Sequence, residues 1–127
     1  MAGARRFSKA VTAAIAKDKI LSVQAGSGDH RFIGVWVVVV DGRVFIRSWG
    51  LKRAGWYQAF VNEPVGRIQA AGRELRIRAV TRASERTKAA VDDAYAAKYT
   101  TPGAIKYVKG FARSQRRRDT TTELLPA

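Results

Sequence analysis

The stretch FIGVWVVVVDGRVFIRSWG, residues 32–50, constrains the fold most. Phe32 to Val40 is almost wholly apolar and largely β-branched, the composition of a central strand covered on both faces. Asp41-Gly42 follows at once. An Asp-Gly pair between two strand-like runs predicts a type I′ hairpin, because that turn needs positive φ at both central residues. Arg43 to Trp49 is the return strand. Its alternation sets Val44, Ile46 and Ser48 on one face and Arg43, Phe45, Arg47 and Trp49 on the other.

A second hairpin is written in VGRIQAAGRELRIRAVT, residues 65–81, turning near Ala71-Gly72. Ile68, Ala70, Leu75 and Ile77 face inward, and Arg67, Gln69, Arg76 and Arg78 share the opposite face. Lys19 to Gln24 reads as a strand, and TTTELL near the C-terminus as a last one. Helices surround these strands. Phe7, Val11 and Ile15 recur at helical spacing behind Ser8, an N-cap residue, giving a helix over 8–17. Gly55 to Asn62 is a short helix. Ser84 caps the longest, over 84–98, with Thr87, Val91, Ala94, Tyr95 and Lys98 on one face. Pro102-Gly103 stops it, and one or two helical turns follow over about 104–109. RSQRRRD, residues 113–119, reads as a charged loop. Strands thus fall within about 19–81 and 120–125 of one domain, 1–127. Hairpins without a strand–helix–strand rhythm give an α+β chain with an antiparallel sheet or small barrel and helices outside.

Composition narrows function. Twenty-four Lys and Arg oppose ten Asp and Glu, a net charge of +14. Such a field attracts anions: nucleic acid, acidic membrane or a phosphorylated small molecule. There is no cysteine and a single histidine, His30. A zinc site of the Cys/His type cannot be assembled, and nothing near His30 forms a nucleophile motif. No apolar run approaches bilayer length, and no apolar segment follows the basic start. A cytoplasmic protein without a membrane partner is expected. Chemistry here would be carried by a bound cofactor.

The candidate site is SWGLKRAGWYQAF, residues 48–60. Gly50 and Gly55 permit close backbone approach to a ligand. Lys52 and Arg53 add charge, Arg53 in a form suited to bidentate phosphate binding. Trp49, Trp56 and Tyr57 can stack on a flat ring or wall its pocket. The plain alternative is a solvated basic loop with its aromatics anchored in the core. GSGDHR, residues 26–31, is a second candidate anion contact, but no Gly-Lys-Ser/Thr completes a P-loop. Lys109-Gly110-Phe111-Ala112 matches the opening of an RNA-recognition strand motif, then departs from it at Arg113-Ser114. The basic run from Lys109 to Arg118 nonetheless supports an alternative reading, a non-enzymatic binding module for nucleic acid or another polyanion.

VWVVVVDGRVFIRSWG followed by AGWYQAFVNEPVGRIQAAGRELRIRAV resembles the FMN-binding split-barrel superfamily. The likeness is nearest to a small bacterial family of unknown function within that group, related to the deazaflavin-dependent nitroreductases. It rests on Trp56, Tyr57, Asn62, the turn at Gly72, the helix around Tyr95 and the final TTELLP, and spans Phe7 to Pro126. The resemblance implies a six-stranded antiparallel split β-barrel with flanking helices, a homodimer, and an FMN or deazaflavin cofactor at the barrel edge. It implies an oxidoreductase passing hydride to a small molecule. It places Arg47, Ser48, Lys52 and Arg53 on the phosphate and Trp56 and Tyr57 near the ring or under the loop. His30 and Arg31 stand where deazaflavin enzymes carry a basic Gly-rich loop. The Gly-Arg-Lys-Ser-Gly pattern of that loop is absent, so FMN, deazaflavin and no cofactor all stay open.

Overall fold

The computed structural model describes residues 6–28, 31–51 and 55–127. In chain order the elements are α1 (Lys9–Lys17), β1 (Leu21–Ala25), β2 (Ile33–Val35), β3 (Val37–Val40), β4 (Arg43–Ile46), α2 (Trp56–Asn62), β5 (Val65–Ala70), β6 (Arg73–Thr81), α3 (Glu85–Lys98), α4 (Pro102–Arg113), α5 (Gln115–Arg118) and β7 (Thr122–Pro126). Seven antiparallel strands, in the order β2-β1-β5-β6-β7-β4-β3, curl into a nearly closed barrel.

The closure has a simple origin. The two edges of the sheet, β2 and β3, are one stretch of chain broken at Trp36. Its first half pairs with β1 (Leu21 opposite Val35) and its second with β4 (Val37 opposite Ile46). This break is also why there are seven strands and not six: the single strand expected over residues 32–40 is two. The last strand, β7, is inserted between β4 and β6 and joins the two hairpins.

Both hairpins close through a turn with two positive φ values, expected at Asp41-Gly42 and, at the second turn, imposed on Ala71 as well as Gly72. Asp41 and Gly42 take φ of 52° and 75°, Ala71 and Gly72 of 53° and 71°, the pair of positive values that matches strand twist.

The apolar run is explained by two cores back to back. Val37, Val44 and Ile46 point into the barrel with Val23, Ile68, Ile77 and Leu124, joined by Val11 and Ile15 of α1 and Phe60 of α2. Val38 and Phe45, one residue out of phase, point outward under α3 and α4 to meet Val91, Tyr95, Val108 and Phe111. Each such side chain, fully buried, contributes about 1.5–3 kcal/mol. On the uncovered hairpin β5–β6 the alternation is clean: Ile68, Ala70 and Ile77 are buried, while Arg67, Gln69, Arg76 and Arg78 are exposed.

Caps follow the sequence. Ser8 accepts from the Val11 N–H at 3.2 Å and Ser84 from the Thr87 N–H at 3.3 Å. Two C-terminal readings change. Pro102 does separate two helices, but it also begins α4, which runs twelve residues; proline at the first helical position lacks only an N–H that would be unpaired anyway. Residues within the expected charged loop form α5, its N-cap Ser114 accepting from the Arg117 N–H at 3.3 Å.

Lys98 closes the seam between α1, α3 and β3. Its ammonium donates to the carbonyls of Val37 at 2.7 Å and Ile15 at 3.3 Å. Burial, helped by nearby Lys19, pulls its pKa down from 10.5 to about 8. Between those values the unfolded chain holds the proton and the folded chain releases it, so this group's contribution to stability rises as pH rises through that window. We expect Lys98 to titrate near pH 8 in 13C NMR of the dimethylated protein, apart from the exposed lysines. A Lys98 midpoint above pH 10 would contradict this seam.

Candidate functional site

A cavity of about 440 Å³ opens where the broken strand, the end of β4 and the start of α2 meet. All three tryptophans of the chain, Trp36, Trp49 and Trp56, line it. Trp36 arrives from the break between β2 and β3, Trp49 from just beyond β4, and Trp56 from the first turn of α2. Tyr107 and Phe111, four residues apart on one face of α4, complete the aromatic wall.

The wall is tightly held. One face of Trp36 is stacked on Tyr99, centroids 4.1 Å apart and planes 4° from parallel. Tyr107 meets both Trp36 and Trp49 edge-on, at 6.0 and 4.9 Å, and Phe111 meets Trp49 edge-on at 5.4 Å. The Arg117 guanidinium lies 3.9 Å above the Trp49 ring and donates through Nε to the Trp49 carbonyl at 2.9 Å. The Trp49 ring fits only because residue 110 is glycine: a Cβ there would stand 2.5 Å from the indole. Trp56 meets Phe60 edge-on at 6.0 Å, which ties its wall to the barrel core. Leu51, also on the wall, takes φ of 54°, a left-handed conformation that costs a leucine roughly 1–2 kcal/mol. Such strain is concentrated at functional sites.

Two polar groups reach this apolar chamber. Ser48 is buried; its Oγ accepts from the Leu51 N–H at 3.4 Å, and its own proton has no acceptor among the described residues. Arg47 is buried and otherwise engaged. Its Nε donates to Thr121 Oγ1 at 2.8 Å, Nη1 to Asp92 and to the Phe111 carbonyl, and Nη2 to the Lys88 carbonyl at 2.8 Å. Four of its five N–H groups are therefore taken by protein. Arg118 bonds the other Asp92 oxygen at 3.2 Å, and Lys88 pairs with Asp119 at 2.7 Å. This network fastens α3 and α5 to the end of β4.

Of the residues expected at a site, the structure brings Arg47, Ser48, Trp49 and Trp56 together. Arg31 is exposed ahead of β2 and is not part of the wall. Tyr57 turns away, its hydroxyl 3.4 Å from the Asp119 carbonyl. His30, Lys52 and Arg53 lie outside the described residues. Leu51 and Gly55, which flank the basic pair, both line the cavity. Sequence reasoning missed Trp36, Tyr107 and Phe111. The last two carried a signal in their helical spacing; Trp36 was hidden in a uniform apolar run. No group of acidic or histidine side chains suited to a metal occurs among the described residues. No helix there is long and apolar enough to cross a membrane.

A family profile described as "Uncharacterized protein conserved in bacteria (DUF2255)" matches residues 11–124. The chain belongs to that family. A search of curated proteins finds no match. Among solved structures, this family member is similar to the crystal structure of conserved hypothetical protein Rv2991 from Mycobacterium tuberculosis. The two share a TM-score of 0.59 at 10% identity, over 100% of this chain and 84% of that one. At that identity the likeness bears on fold alone.

Proposed function

We propose that the tryptophan-lined cavity binds a planar, phosphorylated ring cofactor of the flavin or deazaflavin type, and that the protein is an oxidoreductase acting on a small molecule. The observation that carries this reading is the convergence of all three tryptophans on one cavity, whose wall also includes Leu51 and Gly55. Its volume lies within the range of small-ligand sites, which are mostly apolar with a few placed polar groups.

The residues fit the ring portion of such a cofactor. Trp36, Trp49 and Trp56 provide flat apolar surfaces, and the Ser48 hydroxyl has a proton to donate to a ring heteroatom or phosphate oxygen. Arg47, with most of its donors engaged, supports the wall and is not the main phosphate anchor. That role falls to Lys52 and Arg53, with the net charge of +14 drawing in the anion. The cofactor, when bound, would supply hydride transfer; the protein would orient the ring and exclude water.

The test is a titration of purified protein with FMN and with deazaflavin, following cofactor absorbance and tryptophan fluorescence. Saturable binding of one cofactor per chain, with quenched tryptophan emission, is expected, and Trp49→Ala should weaken it about tenfold or more. Absence of saturable binding to either would overturn the reading.

A further inference from the structure

The helix α4 carries a row of charge that the cavity does not use. From Ala94 to Arg118 the chain contains no aspartate or glutamate, and α4 lies wholly inside that stretch. Its inner side is Ala104, Val108 and Phe111, all buried. On its outer side Lys106, Lys109 and Arg113 follow at the spacing of one helix face, and Arg116 comes next in the sequence, on α5. All four are exposed. Among the described residues none of the four has an ion-pair partner. The Lys106 ammonium only rests 5.1 Å from the ring of its neighbour Tyr107.

The rest of the basic run is spent elsewhere. Arg118 is bonded to Asp92 and Glu85, and Arg117 is laid over Trp49. On the opposite side of the barrel, Arg67 has a carboxylate neighbour, Glu74, at 3.6 Å. Along α4 the charges of Lys106, Lys109 and Arg113, three and four residues apart, repel one another at a cost that no ion pair among the described residues offsets. A polyanion would remove that cost.

We propose that Lys106, Lys109, Arg113 and Arg116 form a docking surface for the phosphate backbone of a nucleic acid. Lysine and arginine rows neutralise phosphates and fix register without reading bases. Contacts of this kind to the phosphate backbone carry no sequence information, so the binding is expected on duplexes of mixed sequence. A membrane surface fits less well. An interfacial helix must offer a broad apolar side to the lipid; in α4 Ala104, Val108 and Phe111 are closed into the outer core, and only Ile105 and Tyr107 are left exposed. The proposal is independent of the cavity and of what it holds.

Neutralising four phosphates predicts a slope of log K against log salt of about −3.6 on duplex DNA. The experiment is fluorescence anisotropy of the full chain with a labelled 20-base-pair duplex of mixed sequence, from 50 to 200 mM salt. Each of Lys106→Ala, Lys109→Ala, Arg113→Ala and Arg116→Ala should flatten the slope by about 0.9. The Lys109→Ala/Arg113→Ala pair should weaken binding about tenfold or more at 100 mM salt, whereas Arg76→Ala/Arg78→Ala, which removes the same charge from the far hairpin, should change it less than about twofold. Circular dichroism confirms that these exposed variants stay folded. Equal losses in the two double variants would reduce the effect to net charge and overturn the proposal. So would failure to bind the duplex, or tighter binding to phosphatidylglycerol vesicles than to DNA.

Discussion

Arg47→Met is expected to destabilise the protein by about 3–5 kcal/mol, the cost of removing one member of a buried ion pair. For a chain of this size that is a fall in Tm on the order of 15 °C. The Arg47 side chain has no exposure to solvent, and Asp92 is one-fifth exposed. Removing the guanidinium leaves the Lys88 and Phe111 carbonyls and the Thr121 hydroxyl without their donor. Methionine fills most of the volume, so the loss reads the polar network and not a void. Arg47→Lys should rescue less than half of it, because an ammonium has no planar fork with which to reach acceptors on α3, on α4 and at Thr121 together. Thermal and urea unfolding measure both variants. A loss below about 1 kcal/mol in Arg47→Met would mean that this arginine is not a structural tie, and would return it to the ligand-binding group.

Gly66→Ala is expected to cost about 3 kcal/mol or more, the upper end of overpacking losses. An added Cβ would stand 2.2 Å from the Gln24 carbonyl oxygen and 3.0 Å from Phe60 Cε1. The near atom is backbone, so relief requires β1 and β5 to separate where Ala25 lies opposite Gly66. Separation there would also move α2, whose Phe60 anchors the Trp56 wall. Gly103→Ala is the comparison. Its Cβ would meet nothing within 4 Å, and in a helix the change should be neutral or stabilising by up to about 1 kcal/mol. Equal Tm values for the two variants in calorimetry would contradict the close approach at Gly66.

The hairpins were legible because their turns depend on local backbone chemistry. Asp41-Gly42 announces two positive φ values, Gly72 marks the place of the second turn, and the alternation on β5–β6 reports a sheet with one solvated face. Ser8 and Ser84 were legible for the same local reason. The break at Trp36 was not. β3 is buried on both sides and β2, expected to be covered too, is mostly exposed, yet both halves are apolar, so nothing in Phe32–Val40 marks where the chain leaves one edge of the barrel and joins the other. Pro102 was read for what it ends and not for what it begins.

The site was half legible. Trp49 and Trp56 were visible beside a basic, glycine-flanked loop. Trp36, Tyr107 and Phe111 come to the same cavity from elements far apart in sequence, and only the barrel closure and the α4 packing bring them there. The resemblance placed Arg47 among the phosphate candidates, and the sequence could not show its partners within the protein: Asp92 lies 45 residues away and Thr121 lies 74 away. A charge on a strand is ambiguous until the elements that cover it are known.

The convergence of the tryptophans also gives the most direct test of the cavity reading. The chain has three indole N–H groups, all at one site, so an 15N–1H spectrum should show three indole signals. On titration with FMN or deazaflavin all three should shift together and saturate at one cofactor per chain. If the cofactor leaves all three signals in place, or moves only that of half-exposed Trp49, the cavity is not where a flavin-type ring binds.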